Sequence, residues 1–216
     1  MVSPKIQVDI GKKNTPWMQC PQIETEFPSL AFIYPLDQLI VAKKRDALHD
    51  VIGIDGVAYT IFNSGGQKVF LAVQKNKKRC FRKCFNVKIF NNYGNEVINV
   101  KRPFAFCANR ALVWAPPGNY VGSINEGRCC HINTYKVKNS DDQTVMSINP
   151  VEIFQYVYKV CLMYGKPQFI GVVKDQWLSE AVLDVKNFGV SFDAELDVRI
   201  KAVLLGACFL IGNLKY

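Results

Sequence analysis

The fold is decided by a stretch that recurs along the chain, first as IFNSGGQKV at residues 61–69. Related stretches are IFNNYGNEV at residues 89–97 and VKNSDDQTV at residues 137–145. In each, an alternating segment ends at an asparagine, a turn rich in Gly, Asp or Asn follows, and valine stands six residues after the asparagine. Asn, Asp and Gly tolerate the left-handed backbone of tight turns, and alternation is typical of half-buried strands. The repeats therefore predict three β-hairpins.

Further strands are predicted around these hairpins, at residues 38–44, 111–114, 120–124, 152–160 and 168–174. Roughly ten to twelve short strands separated by turn residues are typical of one all-β sandwich or barrel. A chain of 216 residues that is 49% hydrophobic can bury a core of that size. Five prolines fall in the first 35 residues, so residues 1–35 are predicted to form an extended leader and residues 36–216 the domain.

The last segment departs from the strand pattern. AVLLGACFLIG, at residues 202–212, is an unbroken apolar run that follows Lys201. As a helix it would be about 16 Å long, whereas the hydrocarbon core of a bilayer is about 30 Å thick. A helix that is apolar on all sides is buried in protein or in lipid. Its length favours a core helix inside a barrel, and a tilted or partial membrane insertion is the alternative.

Positive charge is concentrated in one part of the chain. The net charge is +9, and residues 68–88 hold eight Lys or Arg and no acid. Such clusters bind anionic lipid, with about 1 kcal/mol per basic residue near the surface. Phe81 and Phe85 could insert among lipid headgroups. The predicted lipid-binding residues are Lys75, Lys77, Lys78, Arg79, Phe81, Arg82 and Lys83. Nucleic-acid binding and a merely solvated loop are the alternatives.

The cysteines and histidines indicate no zinc site and no disulfide framework. The chain has eight cysteines and two histidines, and residues 1–13 lack the apolar run of a secretory signal. Cys80 and Cys84 flank basic residues, where S-acylation would add a second membrane anchor. No Ser/His/Asp series and no phosphate-binding glycine loop stands out. The sequence therefore predicts a protein that is not an enzyme.

Several stretches in the C-terminal part resemble the signature of the phospholipid scramblase family. They are NFGV at residues 187–190 followed by Phe192, LDV at 196–198, KAV at 201–203 and GACFLI at 206–211. Earlier matches in the same order are Trp17-Met18, Asp37-Gln38-Leu39, Arg102-Pro103 and APPG at residues 115–118. The resemblance runs from about Trp17 to Ile211, which is most of the chain.

The resemblance implies a Tubby-like fold, in which a closed twelve-stranded β-barrel surrounds a hydrophobic C-terminal helix. It also implies ATP-independent, bidirectional and calcium-regulated movement of phospholipids across a bilayer, with anionic phospholipids as partners. The expected location is the cytoplasmic face of the plasma membrane, with acylation at Cys107. The family's nuclear-import stretch matches residues 171–177, which here hold one lysine beside an aspartate, so no nuclear pool is expected. The alternative function is a membrane-tethered signalling module that binds anionic lipid or nucleic acid without transport.

The family's proposed calcium loop falls on residues 184–195. The ligands it implies are Asp184, the backbone carbonyls of Phe188, Val190 and Phe192, and Glu195. Lys186 occupies a position that is acidic in the family pattern, so its ammonium would oppose the Ca²⁺ charge. A weak calcium site would have a dissociation constant of about 10⁻⁴–10⁻³ M. The alternative interpretation is a β-strand over residues 188–192, with alternating apolar side chains.

Overall fold

The fold is a closed antiparallel β-barrel around a C-terminal helix. The computed structural model describes residues 15–76, 84–103, 110–129, 132–151, 157–163, 167–182 and 185–212. The strands in this part of the chain are β1 (Gln38–Ala42), β2 (Val57–Phe62), β3 (Lys68–Asn76), β4 (Phe85–Phe90), β5 (Glu96–Arg102), β6 (Arg110–Trp114), β7 (Tyr120–Cys129), β8 (Ile132–Lys138), β9 (Thr144–Pro150), β10 (Val157–Leu162), β11 (Gln168–Asp175) and β12 (Asn187–Ser191). Each strand pairs with its neighbours in sequence, and β1 closes the barrel against β12.

The helices are a 3-10 helix (Pro28–Ile33), α1 (Ala47–Ile52) and α2 (Val198–Gly212). The predicted twelve-stranded barrel with a C-terminal helix, the arrangement of the Tubby-like fold, is confirmed. α1 begins with a capping box, in which the Asp46 side chain accepts from the backbone and the His49 ring bonds the backbone amide of Asp46. This short helix was not expected from the sequence, because six residues are too few to show a helical period.

The three predicted hairpins are β2–β3, β4–β5 and β8–β9. In each turn the asparagine side-chain oxygen accepts from the amide four residues on, at 2.9–3.0 Å (Asn63 and Gln67, Asn91 and Asn95, Asn139 and Gln143). The residue three positions after the asparagine has a φ of 61–80° (Gly66, Gly94, Asp142). The recurring asparagine thus bonds across its own turn, and a residue that tolerates positive φ completes it.

Some strand bounds differ from the predicted ones, in β7 because a charged residue faces the barrel interior. The first strand ends at Ala42 instead of residue 44, and β7 runs to Cys129 instead of residue 124. Glu126 on β7 faces the barrel interior, which hides the strand from a search for apolar alternation. Of the strand predicted at residues 152–160, residues 152–156 lie outside the described part, and the rest belongs to β10.

α2 fills the barrel. Fourteen of its fifteen residues are buried, and it begins at Val198, four residues before the apolar run that predicted it. A Cβ built on Gly206 would lie 2.8 Å from Cγ2 of Val113 on β6, so this glycine allows the strand to approach the helix closely. The interpretation as a core helix is therefore confirmed. Among the described residues, no helix combines the length and hydropathy required to cross a bilayer.

Lys201, in the first turn of α2, is fully buried. Its Nζ donates to three carbonyls at 2.7–2.8 Å and to a fourth at 3.4 Å (Ala194, Tyr34, Leu36 and Ile33). Burial lowers the pKa of Lys201 to about 8, against the opposite effect of nearby carboxylates on Glu195, Asp193 and Asp37. The amine is therefore mostly protonated at pH 7 and joins α2 to two other segments of the chain.

The core also includes residues that the sequence assigns to the leader. The 3-10 helix Pro28–Ile33 buries Leu30, Ala31, Phe32 and Ile33, so this part of residues 1–35 is not extended. Its carbonyl at Ile33 is one of the acceptors of Lys201. Further upstream, Trp17 forms an isolated bridge with Lys68 at the start of β3. Prolines at the first position of a 3-10 turn are compatible with this packing, since that position needs no amide donor.

Candidate functional site

The predicted basic cluster is described only at its margin. Lys75 is the penultimate residue of β3 and is exposed. The other predicted lipid-binding residues lie outside the described residues: Lys77, Lys78, Arg79, Phe81, Arg82 and Lys83. Phe85 is 2% exposed and contributes to the apolar core, so it cannot insert among lipid headgroups in this fold.

Two basic residues of the 68–88 segment already have acidic partners. Nζ of Lys68 lies 2.9 Å from Oδ2 of Asp46, and Nζ of Lys88 lies 2.7 Å from Oε2 of Glu96. Burial alone would raise the pKa of Asp46, but the hydrogen bond from Lys68 and that from the Leu48 amide outweigh it and lower the pKa. Of the described basic residues in this segment, Lys75 is therefore the one without an acidic partner among the described residues.

A further lysine extends the cluster across the barrel surface. Lys75 on β3 is paired with Asn86 on β4, and Asn86 with Lys101 on β5. Lys101 is exposed. Two strand spacings separate the two lysines by about 10 Å, so their positive potentials add at one anionic surface. Sequence analysis missed Lys101 because only the hairpin register reveals that it shares a row with Lys75.

The described cysteine among the predicted acylation sites is inaccessible. Cys84 is 5% exposed, so its sulfur would have to leave the folded structure to accept an acyl chain. Cys80 and Cys107 lie outside the described residues. Acylation at those two positions stays a prediction from the sequence.

The described part of the predicted calcium loop contains a strand. Phe188 and Val190 belong to β12, which pairs with β1 on one side and with β11 on the other. Their side chains are buried, as is that of Phe192, whose amide donates to the carbonyl of Asp37 at 2.8 Å. Glu195 is exposed in the turn before α2, and Asp184 lies outside the described residues.

These residues do not fit an EF-hand type of site. The carbonyls of Phe188 and Val190 point to the same side of the strand but lie about 6.6 Å apart, because each residue of a strand rises about 3.3 Å. Two oxygens bound to one Ca²⁺ at about 2.3–2.6 Å can be at most about 5 Å apart, so this strand cannot direct both to one ion. Within the described residues, no group of three or more His, Cys, Asp or Glu side chains is arranged to hold a metal.

The barrel interior holds a buried ion pair. Nη2 of Arg102 on β5 lies 3.5 Å from Oε2 of Glu126 on β7, and both side chains are almost fully buried. Within the described part of the chain, no hydrogen bond reaches Nη1 of Arg102, Oε2 of Glu126 or the hydroxyl of Tyr135. Burial raises the pKa of Tyr135, which keeps its hydroxyl neutral. Each side chain is the counter-ion of the other. If one charge is removed, the other stays buried without compensation for its lost hydration.

We expect Glu126→Gln to destabilise the barrel. The amide would leave Arg102 buried without a counter-charge, at a cost of about 2–3 kcal/mol. Replacing both partners with apolar residues, as in Arg102→Met/Glu126→Leu, should restore most of the loss because no charge stays buried. Urea unfolding of the single and double variants measures both values. Equal stability of Glu126→Gln and the unmodified protein would contradict the assignment of the pair.

The chain resembles a group of proteins along almost its whole length. The sequence profile of a family described as Scramblase matches residues 18–216. Phospholipid scramblase 1 of Rattus norvegicus is 31% identical over 223 residues, which cover 93% of this chain and 66% of the relative. Phospholipid scramblase 1 of Homo sapiens is 29% identical, with 93% of this chain and 70% of the relative covered. The chain thus spans about two thirds of these relatives.

One solved structure shares the fold. An X-ray structure of a protein from Arabidopsis thaliana superimposes with a TM-score of 0.53 and covers 87% of this chain and 96% of its own. The two sequences are 11% identical, so the likeness concerns the fold alone. It agrees with the barrel and central helix described above.

Proposed function

Because the chain belongs to the scramblase family, we propose that it moves phospholipids between the two leaflets of a bilayer without ATP and in both directions. The observation that carries the proposal is the extent of the family match, residues 18–216, which includes every strand of the barrel and α2. The proposed substrates are anionic phospholipids at the cytoplasmic face of the plasma membrane.

The proposed mechanism requires no covalent step. A phospholipid that moves down its own gradient needs only a lower barrier for the passage of its headgroup. Since α2 occupies the interior of the barrel with apolar side chains, a charged headgroup would travel along the outside of the barrel. Exposed lysines such as Lys75 and Lys101 would bind its phosphate and hold the protein at the bilayer.

The proposal is tested with proteoliposomes that contain a fluorescent phospholipid in both leaflets. A reductant that cannot cross the bilayer bleaches the outer leaflet. In the absence of ATP, an active protein should make the fluorescence fall well beyond the half-loss of empty liposomes. A loss of fluorescence equal to that of protein-free liposomes would contradict scrambling. The same assay with calcium and with a chelator tests the calcium regulation implied by the family.

The basic cluster supports a separate prediction. Lys77→Gln, Lys78→Gln, Arg79→Gln, Arg82→Gln and Lys83→Gln together should abolish most binding to phosphatidylserine liposomes, because each charge contributes about 1 kcal/mol near an anionic surface. Binding of the unmodified protein should weaken steeply with salt, since the screening length falls to about 8 Å at physiological ionic strength. Cosedimentation with liposomes measures both effects, and an unchanged thermal melt is the control for folding.

A binding module without transport is the second candidate. The net charge of +9 and the exposed lysines favour it as well, because the same charges attract nucleic acid. In the cosedimentation experiment, a single-stranded oligonucleotide added as competitor distinguishes the two. Displacement from liposomes at low oligonucleotide concentration, combined with no lipid movement in the proteoliposomes, would favour the binding module. Retention on the liposomes would favour the lipid surface.

A further inference from the structure

The two ends of the barrel differ in what they display. Since all neighbouring strands are antiparallel, the odd-numbered strands finish at one end and begin at the other. We call the end where they finish the lysine end and the end where they begin the acidic end. The hairpin turns of β2–β3, β4–β5 and β8–β9 lie at the acidic end, and so does the connection from β12 to α2.

The lysine end displays cations on several strands. Lys43 and Lys44 directly follow β1, Lys159 is the third residue of β10, and Lys75, Lys101 and Lys174 are penultimate in β3, β5 and β11. All but Lys174 are exposed, and Nζ of Lys174 lies 4.3 Å from the ring centre of Trp177. None of the six forms an ion pair with another described residue. The described connections at this end also hold Asp46, Asp50, Asp55, Asp175 and Glu180, of which Asp46 is paired with Lys68 and Asp50 with Arg45. Among the described residues, the six lysines outnumber these five acids.

The acidic end displays carboxylates on three connections. The exposed acids are Asp37 before β1, Asp141 and Asp142 in the β8–β9 turn, and Asp193, Glu195 and Asp197 before α2. Asp142 is paired with Lys138 and, at 3.8 Å, with Arg110, and Asp197 is paired with Arg199. The other four form no ion pair within the described residues. Further described cations at this end are Lys68, which is paired with Asp46, the exposed Lys136 on β8, and Lys201, which is buried and donates to backbone carbonyls.

The two ends are far enough apart for a membrane to interact mainly with one of them. Tilted strands of five to ten residues separate the ends by roughly 15–20 Å, about twice the screening length of about 8 Å at physiological salt. An anionic surface in contact with one end is therefore largely screened from the other. Contact through the lysine end attracts, whereas contact through the acidic end places carboxylates against anionic headgroups.

We propose that the barrel docks end-on to an anionic bilayer, with the lysine end against the headgroups and the acidic end toward water. The inference rests on the proposed function only in that the protein acts at an anionic membrane. It also assigns a direction to α2. Lys201 in the first turn contacts Leu36 and Ala194 at the acidic end, and Gly212 packs on Phe188 near the start of β12. The C-terminal end of the helix therefore faces the lipid.

Two pairs of substitutions with equal charge change test the orientation. Lys75→Gln/Lys101→Gln removes two charges from the lysine end, and Lys136→Gln/Lys138→Gln removes two from β8, which pairs with β7 and β9. Binding is measured by cosedimentation with vesicles of phosphatidylserine and phosphatidylcholine. The first pair should weaken binding roughly 30-fold, since about 1.4 kcal/mol corresponds to tenfold and each lysine contributes about 1 kcal/mol. The second pair should weaken binding less than about threefold.

A third variant tests the reverse orientation. Asp193→Asn/Glu195→Gln removes two negative charges from the acidic end, and binding should change less than about threefold if that end faces water. A large gain in affinity for this variant, or equal losses for the two lysine pairs, would overturn end-on docking while membrane binding itself stood. Failure of the unmodified protein to bind the vesicles would instead contradict the membrane function on which the inference rests.

Discussion

A chain that ends at Arg199 should fail to fold. The truncation removes α2 from Ile200 onwards, and all thirteen residues from Ile200 to Gly212 are buried. Leu204, Leu205, Phe209 and Leu210 alone contribute about 6–12 kcal/mol of burial, comparable with the roughly 5–15 kcal/mol that stabilises a typical domain. Circular dichroism and thermal unfolding of residues 1–199, made in a cell-free reaction without membranes, should show no cooperative transition.

Two further variants keep this prediction specific. A chain that ends at Gly212 retains the whole of α2 and should fold as the full chain does. Gly206→Leu distinguishes a core helix from a membrane anchor. A Cβ built on Gly206 would lie only 2.8 Å from Cγ2 of Val113, so a leucine side chain has no room there. In a packed barrel the added side chain should destabilise the fold by about 1–3 kcal/mol. In a membrane anchor, Gly206→Leu would only add hydrophobicity and should leave the stability of the barrel unchanged. A cooperative thermal transition of residues 1–199 would contradict the assignment of α2 as a buried core helix.

The sequence predicted those parts of the fold in which local pattern and burial agree. The hairpin turns could be predicted because Asn63, Asn91 and Asn139 hydrogen-bond within their own turns. The core helix could be predicted because its apolar run is too short for a bilayer. The start of α2 at Val198 could not, because it depends on Lys201, a charged residue whose burial requires acceptors from distant segments.

The candidate surface was predicted less completely, for a different physical reason. Lys75 belongs to a run of basic residues that the sequence shows directly. Lys101 becomes its neighbour only through the register of β3, β4 and β5. Conversely, the sequence places Lys68 and Lys88 in the same basic segment, whereas in the structure Asp46 and Glu96 neutralise their charges. Charge counted along a chain cannot tell which charges are neutralised by residues brought close in space.

Lys201 connects the segment that follows the 3-10 helix to α2. Its acceptors include Tyr34 and Leu36, just after the 3-10 helix, and Ala194 in the connection to α2, all at 2.7–2.8 Å. Hydrogen bonds to a charged donor contribute about 1.5–3 kcal/mol each, and buried acceptors that lose their donor incur a further desolvation cost. A buried ammonium in an apolar barrel is therefore stabilising only while all these carbonyls surround it.

We expect Lys201→Met to lower the free energy of unfolding by about 3–5 kcal/mol, because methionine fills a similar volume but donates no hydrogen bond to the carbonyls. For a chain of this length, that loss lowers the melting temperature by roughly 6–20 °C. Lys201→Arg tests whether the positive charge alone is sufficient. The planar guanidinium cannot direct its donors to the same carbonyls, so this variant should also have a lower free energy of unfolding. The exposed Lys136→Met is the matched control and should change stability by less than about 0.5 kcal/mol. If Lys201→Met melts with the unmodified protein, the ammonium does not hold the helix to the 3-10 segment; if Lys201→Arg melts with it, positive charge alone suffices.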